Sequence, residues 1–400
     1  MARQWHDGHS TAILCVGAAG GPEGLLASGC EGGEVTVWNQ GGSIVGRLTL
    51  SSEEENTSVA FSPAAPSLLY VSHGETVSVL DPRNLKRAVE EFQGVGEEEI
   101  NALALSDTGS ALALADDSGA VRVLELPGGK VCRTLRRHTN ICSSVAFRPH
   151  RPNNLVSAGL DMQVMLWSLQ KTRPLWTLNL QEVAEEEEEH QQRAGQLFNP
   201  PLAHCISVAS CGNVMACAAE DGRVHLMRVG SGSKLEQQGA IKAHSQGVSQ
   251  AHFINFLSHP YWLATGGNDG QVALWDLSQD SVVAPEGKAK SRVAADHRRR
   301  VKGRAKGKHR SKGKANATSM FQSEKEAAER EGEDEEKGAA EGSSADQSSV
   351  DTEVLKSGPR LSFSHGDKVN WVCPAMLKGE PSLVVADQSS SLSIYSLSGL

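Results

Sequence analysis

The feature that most constrains the fold of this chain is an internal repeat. A stretch of small polar turn residues followed by alternating apolar side chains recurs seven times, most clearly at 155–167 and 263–276. Each copy ends in a large aromatic or aliphatic residue, and these ends are Trp38, Leu80, Leu124, Trp167, Met227, Trp275 and Tyr395. The first four ends are 42, 44 and 43 residues apart, so one structural unit is repeated along the chain.

A period of about 40 to 45 residues is typical of the four-stranded blades of a β-propeller. In the sixth repeat, period-two alternation predicts strands at 248–253, 261–265 and 272–275, with Asn268, Asp269 and Gly270 in the last turn. The seventh repeat lacks an outer strand, and residues 2–5 are placed to supply it. We therefore expect an all-β, seven-bladed propeller closed by an N-terminal strand, which removes the open sheet edge.

Two insertions account for the longer steps between repeats. Residues 181–200 join blades four and five and contain five consecutive glutamates at 185–189. They form either a solvated loop or a contact for basic partners such as histone tails. Residues 278–359 interrupt blade six; they are highly charged with almost no aromatics, which predicts disorder because such a segment buries too little apolar surface.

The expected organisation has three parts. Blades one to six, with the outer strand of blade seven, occupy 1–277; the charged insert occupies 278–359; the rest of blade six and blade seven occupy 360–400. The net charge of −9, the 39% hydrophobic content and the lack of a long apolar run are typical of an intracellular globular protein without a membrane span. The eight cysteines form no C-x-x-C pair and are interpreted as buried hydrophobes, so no metal or cofactor is expected.

Several dipeptides at the repeat boundaries resemble those of the WD40-repeat family. Gly8 and His9 open the first repeat, and Trp275 and Asp276 close the sixth. The resemblance covers nearly the whole chain outside its loops and insert. It implies a rigid, non-enzymatic ring that presents loops to protein partners, although the fold alone names no partner.

Two repeats share a set of four polar and aromatic residues at the same spacing. A Ser, His and Asp taken from these sets would suit nucleophilic catalysis. The resemblance implies instead that each set forms a buried, hydrogen-bonded tetrad that rigidifies its blade. The two sets are His138, Ser157, Asp161 and Trp167 in blade four, and His244, Thr265, Asp269 and Trp275 in blade six. The recurring spacing favours the structural role, and no catalytic residue is predicted.

The end of blade two carries the sharpest functional signal. Residues 79–83 read Val-Leu-Asp-Pro-Arg, which resembles the W-D-x-R ending of propellers that serve as substrate receptors of cullin-4 ubiquitin ligases, with Leu80 in place of Trp. The resemblance implies that Asp81 helps to hold Arg83 on the bottom face, where its planar guanidinium reaches the adaptor known as damage-specific DNA-binding protein one. Alternatively, Asp-Pro-Arg-Asn is simply a good turn sequence, and Arg83 is a solvated side chain.

A basic run inside the insert suggests nuclear import; its residues are Arg298, Arg299, Arg300, Lys302 and Arg304. The alternatives are nucleic-acid binding and a solvated tether, and the absence of interleaved aromatics leaves base stacking unsupported. The sequence thus predicts a monomeric scaffold, nuclear and cytoplasmic, that recruits an unidentified substrate to the ligase. The alternative is a chromatin or ribonucleoprotein assembly scaffold that acts independently of the ligase.

Overall fold

The computed structural model describes residues 2–21, 24–50, 54–182, 199–278 and 358–400. Within these ranges, 28 β-strands form seven antiparallel sheets of four strands. The sheets make a ring, so the prediction of a seven-bladed β-propeller is confirmed. Three predictions, the disordered insert, the import signal at 298–304 and the contact at 185–189, fall on 279–357 and 183–198 and lie outside the described residues.

The strands follow the chain in blade order, each blade running from inner strand a to outer strand d. Blades one to three consist of β2 Ile13–Ala18, β3 Leu26–Cys30, β4 Glu34–Trp38 and β5 Ile44–Thr49; β6 Asn56–Phe61, β7 Leu69–His73, β8 Thr76–Leu80 and β9 Glu90–Phe92; and β10 Ile100–Leu105, β11 Ala111–Asp116, β12 Ala120–Glu125 and β13 Lys130–Arg136. Blades four and five consist of β14 Cys142–Phe147, β15 Asn154–Gly159, β16 Gln163–Ser168 and β17 Trp176–Asn179; and β18 Ala203–Val208, β19 Val214–Ala219, β20 Arg223–Val229 and β21 Leu235–Lys242, with a 3-10 turn at Ser231–Ser233. Blades six and seven consist of β22 Val248–Phe253, β23 Trp262–Gly267, β24 Gln271–Asp276 and β25 Leu361–Ser364; and β26 Val369–Leu377, β27 Glu380–Asp387, β28 Leu392–Ser396 and the N-terminal β1 Arg3–Trp5.

The N-terminal strand closes the ring as predicted. β1 pairs antiparallel with β28, and Trp5 lies opposite Leu392. Trp5 is buried, and its ring centre lies 5.7 Å from that of Trp38 in blade one. This terminal clasp therefore joins blade seven to blade one through side chains as well as through backbone hydrogen bonds.

Hydrophobic contacts between neighbouring blades hold the ring together. Seven clusters of buried apolar side chains lie among the described residues, one between each pair of adjacent sheets. Leu155 lies opposite Trp167, and Leu263 opposite Trp275, in the paired b and c strands. Because full burial of one large apolar side chain stabilises a fold by about 1.5 to 3 kcal/mol, these contacts dominate the stability of the ring.

A β-bulge at the start of strand a recurs in all seven blades. In five blades the bulged residue donates a side-chain hydrogen bond to the first carbonyl of strand a in the next blade. These donors are Thr57, Asn101, Ser143, Ser249 and Asn370. Blade one has Leu14 at this position, and blade five has His204, which contacts Glu220 within its own blade. The bulges thus link most neighbouring blades around the inner rim.

The antiparallel order separates the loops onto two faces. Turns between strands a and b and between c and d lie on one face, here called the bottom, and the remaining turns lie on the top. Arg83 follows strand c of blade two and is therefore on the bottom face, as is the point at which residues 279–357 leave blade six. Among the described residues, no helix has the length and apolar character that crossing a bilayer requires.

Candidate functional site

A groove of about 780 Å³ on the bottom face surrounds the predicted docking residue. Its lining comes from three blades that are consecutive in the ring, and blade seven is distant from the other two in sequence. Asn39, Gln40 and Val45 come from the c–d turn and strand d of blade one, Arg83 from the c–d turn of blade two, and Lys378 from the a–b turn of blade seven. Ring closure therefore assembles this surface, which we call the bottom groove.

The walls of the bottom groove are fixed by local hydrogen bonds and by the terminal clasp. Asn39 Oδ1 accepts hydrogen bonds from the amides of Gly41 and Ser43, which shape the turn of blade one. Gln40 Oε1 accepts the Lys378 amide at 2.7 Å and ties blade one to blade seven. A Cβ at Gly42, where φ is +87°, would lie 2.4 Å from Trp5 Nε1, so this turn requires a glycine beneath the clasp.

Arg83 is presented by the turn that its own sequence encodes. The Asp81 carboxylate accepts a hydrogen bond from the Arg83 backbone amide at 2.9 Å, and the Asn84 amide donates to the Asp81 carbonyl at 2.9 Å. Asp81 thus holds the backbone of Arg83 rather than its side chain. The guanidinium is exposed, and no described residue accepts a hydrogen bond from it.

The surroundings of Arg83 combine positive charge with exposed apolar surface. Lys378 is exposed in the same groove, and Val45, which lines it, is 44% exposed. Blades one, two and seven also expose Ile44, Val89 and Met376. An arginine and a lysine beside apolar side chains suit a protein partner that offers carboxylates and apolar groups.

A second cavity, of about 810 Å³, lies on the top face and has the opposite charge. Five glutamates from blades one to three line this acidic cavity: Glu31, Glu54, Glu55, Glu75 and Glu99. Partial burial and the neighbouring carboxylates of Glu55, Asp117 and Glu54 raise the pKa of Glu99 above its usual value. A cationic group that entered this cavity would relieve that repulsion.

The structure brings each predicted tetrad together. In blade four, Trp167 Nε1 donates to Ser157 Oγ at 2.8 Å, Ser157 Oγ lies 2.8 Å from His138 Nε2, and His138 Nδ1 lies 2.9 Å from Asp161 Oδ1. In blade six the matching distances, through Trp275, Thr265, His244 and Asp269, are 3.2, 3.0 and 2.9 Å.

Burial decides what the tetrads can do chemically. The Ser–His–Asp order would suit a nucleophilic triad, but Ser157 is fully buried and accepts the Trp167 indole N–H. The His138 side chain is also inaccessible, so no substrate reaches these groups. The tetrads therefore act as buried networks that join the top-face turns to the sheets.

In the blade-six tetrad the pKa values of both titratable groups, His244 and Asp269, are lowered. Burial lowers the pKa of His244 and outweighs the opposite effect of the Asp269 carboxylate. Burial alone would raise the pKa of Asp269, but hydrogen bonds from the Ser245 amide and from His244 lower it. The native blade therefore favours a neutral imidazole beside an ionised carboxylate.

Blade seven contains a network that the sequence pattern does not reveal. His365 Nε2 lies 2.8 Å from the Asp387 carboxylate, and His365 Nδ1 lies 2.7 Å from the Tyr395 hydroxyl. The sequence pattern assigns a complete tetrad only to blades four and six. It misses the network because Asp387 is paired opposite Val369, two positions before the usual aspartate, and because Tyr395 replaces the tryptophan.

Blade one contains three members of a tetrad but lacks the aspartate. Trp38 Nε1 donates to Ser28 Oγ at 2.8 Å, and Ser28 Oγ lies 2.6 Å from His9 Nε2. The aspartate position of the tetrad is Gly32, and His9 Nδ1 is buried without a hydrogen-bond partner. Burial lowers the pKa of His9 to about 4, so this imidazole is neutral at pH 7.

Comparisons with known proteins agree with this architecture. The family model described as "WD domain, G-beta repeat" matches residues 129–168 and 235–276, the segments that end in the two complete tetrads. The chain is 24% identical over 289 residues to the WD repeat-containing protein 53 homolog of Dictyostelium discoideum, covering 68% of this chain and 77% of that protein.

Two further relatives match over smaller parts of their own length. WD repeat-containing protein 55 of Pongo abelii is 22% identical over 69% of this chain and 63% of its own. The transcriptional corepressor LEUNIG_HOMOLOG of Arabidopsis thaliana is 25% identical over 42% of this chain and 20% of its own. These relatives share repeats with the chain; their names do not specify what this chain binds.

Proposed function

We propose that this seven-bladed propeller, which contains WD40 repeats at 129–168 and 235–276, is a non-enzymatic scaffold that docks the adaptor of a cullin-4 ubiquitin ligase through the bottom groove. In this function the adaptor is of the damage-specific DNA-binding protein one type. The opposite face remains free to hold a substrate protein.

The observation that carries this proposal is the presentation of Arg83. The Asp81 turn fixes the backbone of Arg83, the guanidinium is exposed, and no described residue competes for its five N–H donors. A planar, fixed guanidinium is suited to a carboxylate on a partner surface. Lys378 and Val45 add charge and apolar contact beside it.

The test is binding of the purified adaptor to the full chain carrying Arg83→Ala or Arg83→Glu. Both variants should abolish co-purification, while the melting temperature stays within about 2 °C because an exposed side chain contributes little to stability. The matched control is Arg151→Glu, which changes an exposed arginine in the a–b turn of blade four on the same face. Wild-type recovery of the adaptor by both Arg83 variants would contradict the proposal.

One observation favours the alternative of a chromatin or ribonucleoprotein scaffold. The acidic cavity on the top face suits lysine- and arginine-rich segments such as histone tails. If this cavity is the main binding site, Glu54→Gln with Glu75→Gln weakens binding of a basic peptide and reduces its dependence on salt. In that case Arg83→Glu leaves the interaction unchanged.

We also propose that the protein occupies both the nucleus and the cytoplasm. Import would depend on the basic run at 298–304, which lies outside the described residues. Deletion of 288–314 from a fluorescent fusion should reduce its nuclear fraction. An unchanged nuclear fraction would rule out this segment as the import signal.

A further inference from the structure

We propose that blade one contains a metal site for Zn²⁺ or a similar borderline divalent ion, with His9, Cys30 and Glu34 as ligands. One ligand atom from each of these residues lies within 4.8 Å of the other two. His9 and Cys30 are buried, and Glu34 is partly exposed at the top-face turn. An imidazole nitrogen, a thiolate and a carboxylate form a donor set that Zn²⁺ accepts, with water as the fourth ligand.

Comparison with blade four shows why these three side chains meet. Strand pairing places Cys30 opposite Ile13 and Gly159 opposite Cys142, so Cys30 and Gly159 occupy equivalent positions. A Cβ at Gly159 would lie 2.7 Å from His138 Nδ1. Blade one has a side chain at this position. The Cys30 thiol therefore approaches the imidazole of His9, which is equivalent to His138, the histidine that Asp161 binds in blade four.

The change at the aspartate position removes the acceptor of the histidine. Asp161 of blade four corresponds to Gly32, and the next residue has a left-handed backbone in both blades, with φ of 62° at Met162 and 73° at Gly33. The turn therefore has the same shape in both blades. In blade one the carboxylate belongs instead to Glu34, which is equivalent to Gln163. The result is a buried His9 Nδ1 without a partner, facing a thiol and a carboxylate.

Neighbouring residues already orient two of the ligands. His9 Nε2 can donate its proton to Ser28 Oγ, which leaves the lone pair of Nδ1 free for a metal. The Glu34 carboxylate accepts hydrogen bonds from the Ser10 amide and hydroxyl at 2.9 and 3.0 Å. Cys30 Sγ lies 3.8 Å from Glu34 Oε2 and would lose its proton on binding.

The ligands of a tetrahedral zinc ion lie about 3.3 to 3.6 Å apart, as its bond lengths require. Because the three ligand atoms lie within 4.8 Å of one another, the widest pair has to move together by at most about 1.5 Å. Glu34 is partly exposed and can make this adjustment. The sequence does not suggest the site, because one ligand precedes strand a and the other two flank the b–c turn without a C-x-x-C pair.

The test uses the full chain, reduced and freed of metal with a chelator, and Co²⁺ as a spectroscopic substitute for Zn²⁺. We expect one equivalent of Co²⁺ to give thiolate charge-transfer absorption and the visible bands of a tetrahedral site. Zn²⁺ should abolish both and raise the melting temperature, because an ion that binds only the native state stabilises it. Absence of these bands in the wild-type protein would overturn the proposal.

Variants assign the signal to blade one. Cys30→Ser should remove the charge-transfer band, and Ser10→Ala should weaken Co²⁺ binding about tenfold or more. Cys132→Ser, which changes an exposed cysteine in blade three, is the matched control and should bind normally. A band that survives Cys30→Ser but disappears in Cys132→Ser would also overturn the proposal.

A transplant of the blade-four arrangement gives a test that does not depend on loss of stability. Cys30→Gly combined with Gly32→Asp supplies His9 Nδ1 with a carboxylate acceptor. This double variant should bind no Co²⁺ and should melt at a higher temperature than the metal-free wild type. Retention of the cobalt spectrum by the double variant would contradict the assignment.

Discussion

Blades four and one contain the same Trp–Ser–His chain but end it differently. In blade four, Asp161 accepts the last hydrogen bond, and the network is complete within the blade. In blade one, Gly32 provides no acceptor, and the carboxylate of Glu34 is bound to Ser10 instead. A fold can thus keep its structural network in one repeat and, by three substitutions around one turn, leave a buried imidazole nitrogen without an acceptor in another.

The largest predicted effect comes from replacing the buried tryptophan of each of the two blades. Trp38→Ala and Trp167→Ala should each lower the free energy of unfolding by about 3 to 5 kcal/mol, because both indoles are fully buried. Denaturant titration measures this loss. Only Trp38→Ala should also make residues 2–7 sensitive to limited proteolysis, since Trp38 packs against Trp5. Equal protease sensitivity in both variants would contradict a special role for Trp38 in the clasp.

The next effect concerns the carboxylates. Asp161→Ala should cost about 1 to 3 kcal/mol, because it leaves buried His138 Nδ1 without a partner. In the metal-free protein, Glu34→Ala should cost less, about 0.5 to 1 kcal/mol, because it removes only the exposed hydrogen bonds from Ser10, and His9 Nδ1 already lacks a partner. Chemical unfolding of the two variants side by side measures the difference. Equal losses would show that the two networks do not differ in this way.

A smaller effect is expected at the inner rim. Ser143 of blade four donates to the Ala203 carbonyl of blade five at 2.6 Å, whereas blade one has Leu14 at the bulge. Ser143→Ala should therefore cost about 0.5 to 1.5 kcal/mol, as the loss of one hydrogen bond usually does. Ser168→Ala, at the end of strand c in the same blade, is the control. If the two variants were equally stable, the hydrogen bonds of the bulge residues would not contribute to the stability of the ring.

The pH dependence of the complete networks gives the finest test. Because the pKa of His244 lies below its usual value of 6.5, the unfolded chain takes up the proton first as the pH falls. The contribution of this histidine is full above about pH 6.5 and decreases below it. The lowered pKa of Asp269 acts in the same direction below its usual value of 3.8.

Melting temperatures at pH 7 and pH 5 check this behaviour. His244→Gln should flatten the decline between the two values because the site can no longer be protonated. His150→Asn, at an exposed position, should leave the slope as it is. A slope that His244→Gln leaves unchanged would show that other groups control the acid sensitivity.

Much of the fold could be predicted from the sequence because the repeat is local. The seven strand-c ends, the turn at Asn268 and Asp269, and the clasp by residues 2–5 depend only on spacing and alternation along the chain. The bottom groove could not be predicted, since Lys378 and Arg83 become neighbours only when the ring closes. The networks of blades one and seven were missed for a related reason. A spacing pattern cannot show that the Glu34 carboxylate lies near His9 although the aspartate position is Gly32. Nor can it show that Asp387 binds His365 although it lies two positions before the usual aspartate.

The clasp also has a consequence for the order of synthesis. Of the 28 described strands, β1 leaves the ribosome first, and its partner β28 is made last. Until then, Trp5 and the facing indole of Trp38 lack the apolar neighbours that blade seven supplies in the finished ring. The growing chain therefore exposes apolar aromatic surface until blade seven is complete, and intermediates that expose such surface are prone to aggregate.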